Sequence, residues 1–256
     1  MSHDPLRSKI TDRLGEDLDP YLFEACAVEL LRSDWPVVPI PGGSDAGMDG
    51  AVADSAGHPF PLVTTTSADV IGNLTRNLES YLQSGGERRK VIVATSEALS
   101  PKQRRNLRDR ANELGFTLIQ IYSQSGIANL LYHSPEWSQD LLGVSGDPAP
   151  LSAVPKGSRP LLDQPLVGRE EDLGWLQNQE GDRLLVGQPG SGKSFLLYQL
   201  TDAGALFAAT QNRGDLADGI REQSPKAVIV DDASTEVGLL EELLDLRRQI
   251  AAEFDI

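Results

Sequence analysis

Apolar and polar positions along this chain repeat with two periods, and the changes of period mark its elements. The stretch YLFEACAVELLRSD, from Tyr21, carries apolar residues at helical spacing as far as Arg32. Short apolar runs near Val37, from Met48 to Ala53 and from Pro61 to Thr66 read as strands, and a helix follows from Ala68 to Gln83 with Ser67 as its expected N-cap. The next segments alternate: KVIVATS is a buried strand, SPKQRRNLRDRANELG a helix, FTLIQIY a strand and SGIANLLYHSP a closing helix. In the middle helix Ser100 supplies a capping oxygen, Pro101 fits the first turn, and Gly115 fits a left-handed exit. This order predicts an α/β domain with a mixed sheet over residues 1–142.

The pattern then lapses. Residues 143–165, GVSGDPAPLSAVPKGSRPLLDQP, hold five prolines and few periodic apolar positions, which predicts a linker. Periodicity resumes over residues 166–256, where strands are expected near Leu184, Ala205 and Val228 in a second, parallel sheet.

Composition narrows the class. A chain of 256 residues with 39% hydrophobic content can bury real cores. No apolar run approaches the length of a membrane span, and the N-terminus MSHDPLRSKITDRLGEDLDP is too polar for a signal peptide, so a cytoplasmic protein with no membrane partner is expected. A net charge of −15 argues against coating nucleic acid by bulk attraction. Two local basic patches, ERRK from Glu87 and KQRRNLRDR from Lys102, are either phosphate contacts or solvated faces. The single cysteine, Cys26, reads as a small buried residue, and His3, His58 and His133 are scattered without metal-ligand spacing.

The strongest chemical signal is RLLVGQPGSGKSFLLYQL. Gly187, Gly192, Lys193 and Ser194 stand at the spacing GxxxxGK[ST], with Gly190 between them, an apolar run before and a helical pattern after. Such a loop turns successive backbone N–H groups into one anion-binding concavity. Lys193 would then reach the β- and γ-phosphates of ATP, or the β-phosphate of ADP, and the Ser194 hydroxyl would ligate Mg²⁺. Downstream, KAVIVDDAS supplies an apolar strand ending in Asp231 and Asp232. Asp231 is the candidate metal carboxylate and Asp232 the candidate for polarising an attacking water.

Upstream, PLVGREEDLGWL contributes Val167, Gly168, Arg169 and Glu170. With the phosphate loop and VIVDD, this element resembles the STAND class of signal-transduction NTPases, within the AAA-related P-loop group. The resemblance covers residues 166–256 and implies that Val167, Gly168 and Arg169 lie near the adenine. It also implies a nucleotide-driven switch to a homo-oligomer that turns on an attached effector. A STAND module continues with a sensor strand, a helical lid and a winged-helix domain, so a truncated NTPase core is expected here.

The stretch GGSDAGMDGAVADSAGHPFPLVTTTS, with an acid on the preceding helix, resembles the restriction-endonuclease-like fold of the PD-(D/E)xK class, in its Mrr-type branch. Residue by residue, Glu24 takes the helix position and Asp49 the metal-binding aspartate. Thr64 stands where an acid or glutamine belongs, and Thr66 where the lysine belongs. That chemistry needs carboxylates around a metal and a cation beside the phosphate, and threonine supplies neither. Losing one such stabiliser lowers kcat by about 10²–10³.

The resulting expectation is an ATP-binding regulator with a degenerate, nuclease-like N-terminal domain, its partners being nucleotide and either DNA or an activating protein, of a kind used in bacterial antiphage defence. The alternatives are a nucleotide-gated, metal-dependent endonuclease in which Arg76 or Lys90 replaces the lost lysine, and a non-catalytic interaction protein.

Overall fold

The computed structural model describes residues 4–40, 48–53, 59–155, 166–250 and 252–256. The glycine-rich lead-in at 41–47 and the segment 54–58, with His58, lie outside the described residues, as does His3. The chain divides into two compact units, Arg7–Gly146 and one built on Asp147–Ile256.

The first unit is a five-stranded mixed sheet in sequential order: β1 (Val37–Pro39), β2 (Gly50–Ala53), β3 (Pro59–Thr65), β4 (Lys90–Thr95) and β5 (Thr117–Tyr122). The first three strands are antiparallel neighbours, whereas β3, β4 and β5 run parallel. Parallel strands need crossover helices, and α3 (Val70–Gln83) and α4 (Pro101–Glu113) provide them. Both pack on one face, where Leu74, Leu78, Tyr81, Leu107 and Phe116 meet Val63, Val91, Val93 and Ile121. The opposite face carries Leu62, which converges with Val28 of α2 (Pro20–Leu31) and Val37 around Gly50. On that side α5 (Gln124–Tyr132) also meets α2, β4 and β5. Both faces being covered, β3 and β4 read as almost unbroken buried runs.

Local chemistry explains the ends of these helices. Ser100 and Gln103 form a reciprocal capping box on α4 with Pro101 in the first turn, and Gly115 leaves at φ +80°. The cap of α3 is Asp69, whose carboxylate accepts from Gly72 N, and not Ser67; Ser67 lies one turn too early and instead accepts from Asp69 N. Two helices, α1 (Pro5–Leu14) and α6 (Pro135–Leu142), have no counterpart in the expected order. Cys26 is fully buried, as its sequence setting predicts, and burial pushes its thiol up to about 12. His133 is a half-buried C-cap of α5, edge-on to Tyr132.

One basic position behaves unlike its neighbours. Arg104, expected on a solvent-facing basic helix, is only 2% exposed; its guanidinium donates to Leu99 O and to Ser123 Oγ. Of the basic side chains in that patch Lys102, Arg105 and Arg108 are exposed and Arg110 is half-buried, whereas Arg104 lies on the same face of α4 as Leu107 and Ala111.

The second unit has a three-stranded sheet, β6 (Leu151–Ser152), β7 (Ala205–Ala208) and β8 (Ala227–Ile229), with β6 antiparallel to β7 and β7 parallel to β8. Strand β6 belongs to the proline-rich segment. Side chains alternate across the sheet. Leu206 and Val228 face α9 (Arg213–Gln223) and α10 (Val237–Ile250), while Ala205, Phe207 and Ile229 face the end of α8 (Lys193–Gln199) and the 3₁₀ turn Leu200–Ala203. The strand expected near Leu184 is not formed, and Leu184 and Val186 are 75% and 80% exposed. Its one hydrogen-bonded neighbour, at Asp255–Ile256, reaches only as far as Arg183.

Candidate functional site

In the second unit the loop between residue 186 and α8 is shaped by its glycines. A Cβ on Gly187 would lie 2.9 Å from Ser191 Oγ, so a side chain there would collide with the loop itself. Gly190 and Gly192 sit at φ +77° and +81°, a region that glycine occupies without strain. The chain thereby turns twice within three residues and enters α8 with Lys193 and Ser194 in its first turn.

Three contacts organise this loop. Ser194 Oγ donates to Asp231 Oδ1 at 2.9 Å, joining residues 37 positions apart. Lys193 Nζ folds back on its own loop, donating to Gly187 O at 2.8 Å and Gln188 O at 3.0 Å. Arg169 Nη1 donates to Ser191 O at 2.9 Å, which brings the VGRE element against the loop. Gly168, at φ +73°, turns its N–H onto Glu170 Oε1 at 3.1 Å. Val167 is 79% exposed.

Asp231 stands two residues beyond β8 and is half-buried, whereas Asp232 is exposed. Asp232 adopts φ +55°, and its carbonyl accepts from the N–H and the hydroxyl of Thr235. The structure therefore brings Gly187, Gly190, Gly192, Lys193, Ser194, Asp231 and Arg169 together, and it turns Asp232 outward beside them.

The donor set suits Mg²⁺ with a phosphate. A hydroxyl and a carboxylate are hard oxygen ligands, and magnesium in phosphate sites takes one or two protein oxygens with the remainder from phosphate and water. Among the described residues no cluster of three His, Cys, Asp or Glu side chains could hold a metal alone.

Sequence reading missed the anchors below the loop. Arg183 pairs with Asp255, and Arg247 with Asp182 in a bidentate contact. The hydrogen bond from Arg247 holds the Asp182 carboxyl below its usual range. Nothing in the spacing of these residues signals that they meet.

In the first unit, Asp49 lies just before β2, where its N–H donates to Leu62 O at 3.0 Å. Its Oδ2 accepts from both the N–H and the Oγ1 of Thr64, at 2.5 and 3.1 Å. Desolvation raises the Asp49 pKa against the lowering effect of those two bonds. Glu24 on α2 is raised too, first by desolvation and then by the charge of Asp49. Glu24, Asp49 and Thr64 thus share one corner, in which both carboxyls are raised. Thr66 is half-buried beyond the last residue of β3.

The replacement cations lie elsewhere. Arg76 pairs with Asp69 at 3.9 Å on the surface. Lys90 stands at the start of β4 over the Phe60 ring, 6.0 Å from its centroid. Because Leu62 is level with Ile92, Lys90 sits four residues down the sheet from Thr64, about 13 Å at strand rise.

A scan against protein-family models, a search of curated proteins and a search of solved structures find no match to this chain.

The raised carboxyls set a pH dependence. A carboxyl whose folded pKa lies above its unfolded value contributes stability that is complete below the unfolded pKa and is lost as pH rises through the folded one. Asp49→Asn removes the charge while keeping an acceptor for Thr64. It should therefore raise Tm at pH 7, and the gain should vanish as the pH falls below about 4, where the wild-type carboxyl is neutral in both states. Melting curves of the two proteins from pH 3 to pH 8 check this.

Proposed function

We propose that this protein is a nucleotide-binding regulator: a P-loop unit that takes Mg-ATP or Mg-ADP, carried with a nuclease-like unit that does not cut. The observation that carries the reading is the hydrogen bond from Ser194 Oγ to Asp231 Oδ1. It brings together the two protein oxygens that a phosphate-bound Mg²⁺ requires, from a loop and a strand end far apart in sequence.

Bound Mg-nucleotide would supply an anion to the loop and a divalent cation to the hydroxyl and carboxylate. On the protein side, Lys193, now on the carbonyls of Gly187 and Gln188, would be the cation for the phosphate oxygens, since hydrogen bonds between charged groups are the stronger kind. Ser194 and Asp231 are the residues that would hold the cation. Arg169 keeps the loop tied to the VGRE turn. The exposed Asp232, at φ +55°, is the candidate for orienting water, and because catalytic help in P-loop NTPases commonly comes from an arginine supplied in trans, turnover by the isolated chain slower than about 1 s⁻¹ is expected.

For the first unit, the corner of Glu24, Asp49 and Thr64 supports the nuclease-like reading, and the distance of Lys90 and the pairing of Arg76 weigh against a relocated active site. The unit then acts as a binding surface for DNA or a protein that communicates with the nucleotide unit, and a role in phage defence follows by resemblance alone.

Asp231→Asn tests the metal role separately from folding, since an amide oxygen can still accept from Ser194. The variant should melt within a few degrees of wild type without ligand. Wild type at about 100 times Kd should gain about 2.7 kcal/mol from Mg-ADP, and the variant should lose the magnesium-dependent part of that gain. Equal magnesium dependence in both proteins contradicts the assignment.

Plasmid DNA incubated with the purified protein and Mg²⁺ or Mn²⁺ should stay intact. Cleavage that disappears in Asp49→Ala would establish the endonuclease reading instead.

A further inference from the structure

An open cleft of about 470 Å³ crosses the first unit's sheet at the end opposite to Thr64. The strand ladder builds its floor. Val37 pairs with Val52 and Val52 with Phe60, and because Leu62 pairs with Ile92, Phe60 is level with Lys90. Val91 and Val93 pack on α3 and α4, so Lys90 projects from the other face, and its Nζ stands 6.0 Å from the centroid of the Phe60 ring. A bulge extends the row onto β5: Val91 pairs with Leu118 and Ile92 with Gln120, which leaves Ile119 as an extra residue without a partner on β4. Leu118 and Ile121 consequently both pack on the α3 and α4 face although three residues apart, and Ile119 lines the cleft, 36% exposed.

The opposite wall is the segment from Asp34 to Pro36, which leads from α2 into β1. The Trp35 ring is fixed there. Its Nε1 donates to Tyr122 Oη at 2.7 Å, Tyr122 Oη donates in turn to Asp34 Oδ2 at 3.0 Å, and Trp35 N donates to Leu31 O at 2.9 Å. Tyr122 is itself buried, so the ring hangs on a rigid anchor. A pre-set aromatic wall facing a floor of Phe60 and Ile119 is the apolar body of a small-molecule site, and the cleft falls within the range of about 300–1,000 Å³ typical of such sites.

The charged groups in the cleft are one of each sign. Lys90 and Asp34 both line it, and among the described residues neither is joined to the other or to any further charge by an ion pair. Asp34 commits Oδ2 to Tyr122, while Oδ1 has the Ser33 hydroxyl at 3.4 Å. An anion alone would meet Asp34, and a cation alone would meet Lys90. A neutral ring would cover both charges without pairing either, which costs free energy. A molecule carrying both charges satisfies the two together.

We propose that this cleft binds a small zwitterion with an apolar side chain, of the aromatic α-amino acid class. Its carboxylate meets Lys90, its ammonium meets Asp34 Oδ1, and its side chain lies between Trp35 and the floor of Phe60 and Ile119. The site is separate from the acidic corner of Glu24 and Asp49, since Lys90 stands four residues down the sheet from Thr64.

The test uses the full chain without nucleotide, so its outcome is independent of the P-loop reading. The indole N–H resonances of Trp35, Trp137 and Trp175 are followed by NMR, that of Trp35 being assigned with Trp35→Phe. The probe is L-phenylalanine. Three analogues each lack one feature: N-acetyl-L-phenylalanine the ammonium, L-phenylalanine amide the carboxylate, and glycine the side chain. The expected result is a saturable shift of the Trp35 resonance alone, with a Kd of about 1 mM or tighter for L-phenylalanine and binding weaker by about tenfold or more for each analogue. Asp34→Asn keeps an acceptor for Tyr122, and Lys90→Met keeps the apolar stem, so both leave the wall and floor in place. L-phenylalanine should bind Asp34→Asn no better than its N-acetyl form does, and Lys90→Met no better than its amide does. No saturable shift of Trp35 with L-phenylalanine, equal binding by the analogues, or discrimination that survives both substitutions overturns the proposal.

Discussion

The hydrogen bond between Ser194 and Asp231 is the constraint on which the second unit's chemistry depends. Without it, the glycine loop would be a flexible turn at the surface and Asp231 a solvated strand end. With it, the first turn of α8 is held over the end of β8, and Lys193 curls into the concavity onto the carbonyls of Gly187 and Gln188. An ammonium on neutral carbonyls and a hydroxyl on a carboxylate are both arrangements that a phosphate with a divalent cation would improve.

The same logic, with the opposite sign, describes the first unit. Glu24 and Asp49 approach each other in a partly buried corner, and the hydroxyl of Thr64 is the partner nearest to hand. Desolvation raises both carboxyls, and the charge of Asp49 raises Glu24 further. On the proposed nuclease-like reading, Thr64 and Thr66 in place of an acid and a lysine leave this corner without the charge needed beside a reacting phosphate.

Much of the fold was legible because its signals are local. The capping box of Ser100 and Gln103, the unbroken buried runs of β3 and β4, and the glycines between Gly187 and Gly192 are each written within a few residues. What was not legible depends on residues far apart. Arg104 belongs to a basic run, yet the turn of α4 carries it onto the buried face with Leu107. The apolar run at Leu184–Val186 has the composition of a strand, yet no strand forms there and Leu184 and Val186 are exposed. The tethers of Arg183 to Asp255 and Arg247 to Asp182 join opposite ends of the unit and leave no periodic trace.

Calorimetric titration of Mg-ATP and Mg-ADP into the 256-residue protein and into Lys193→Ala tests the central claim most directly. The account predicts binding by the wild type that the substitution abolishes, with both proteins folded. A folded wild type that takes up neither nucleotide, or a variant that binds as tightly as wild type, would contradict it.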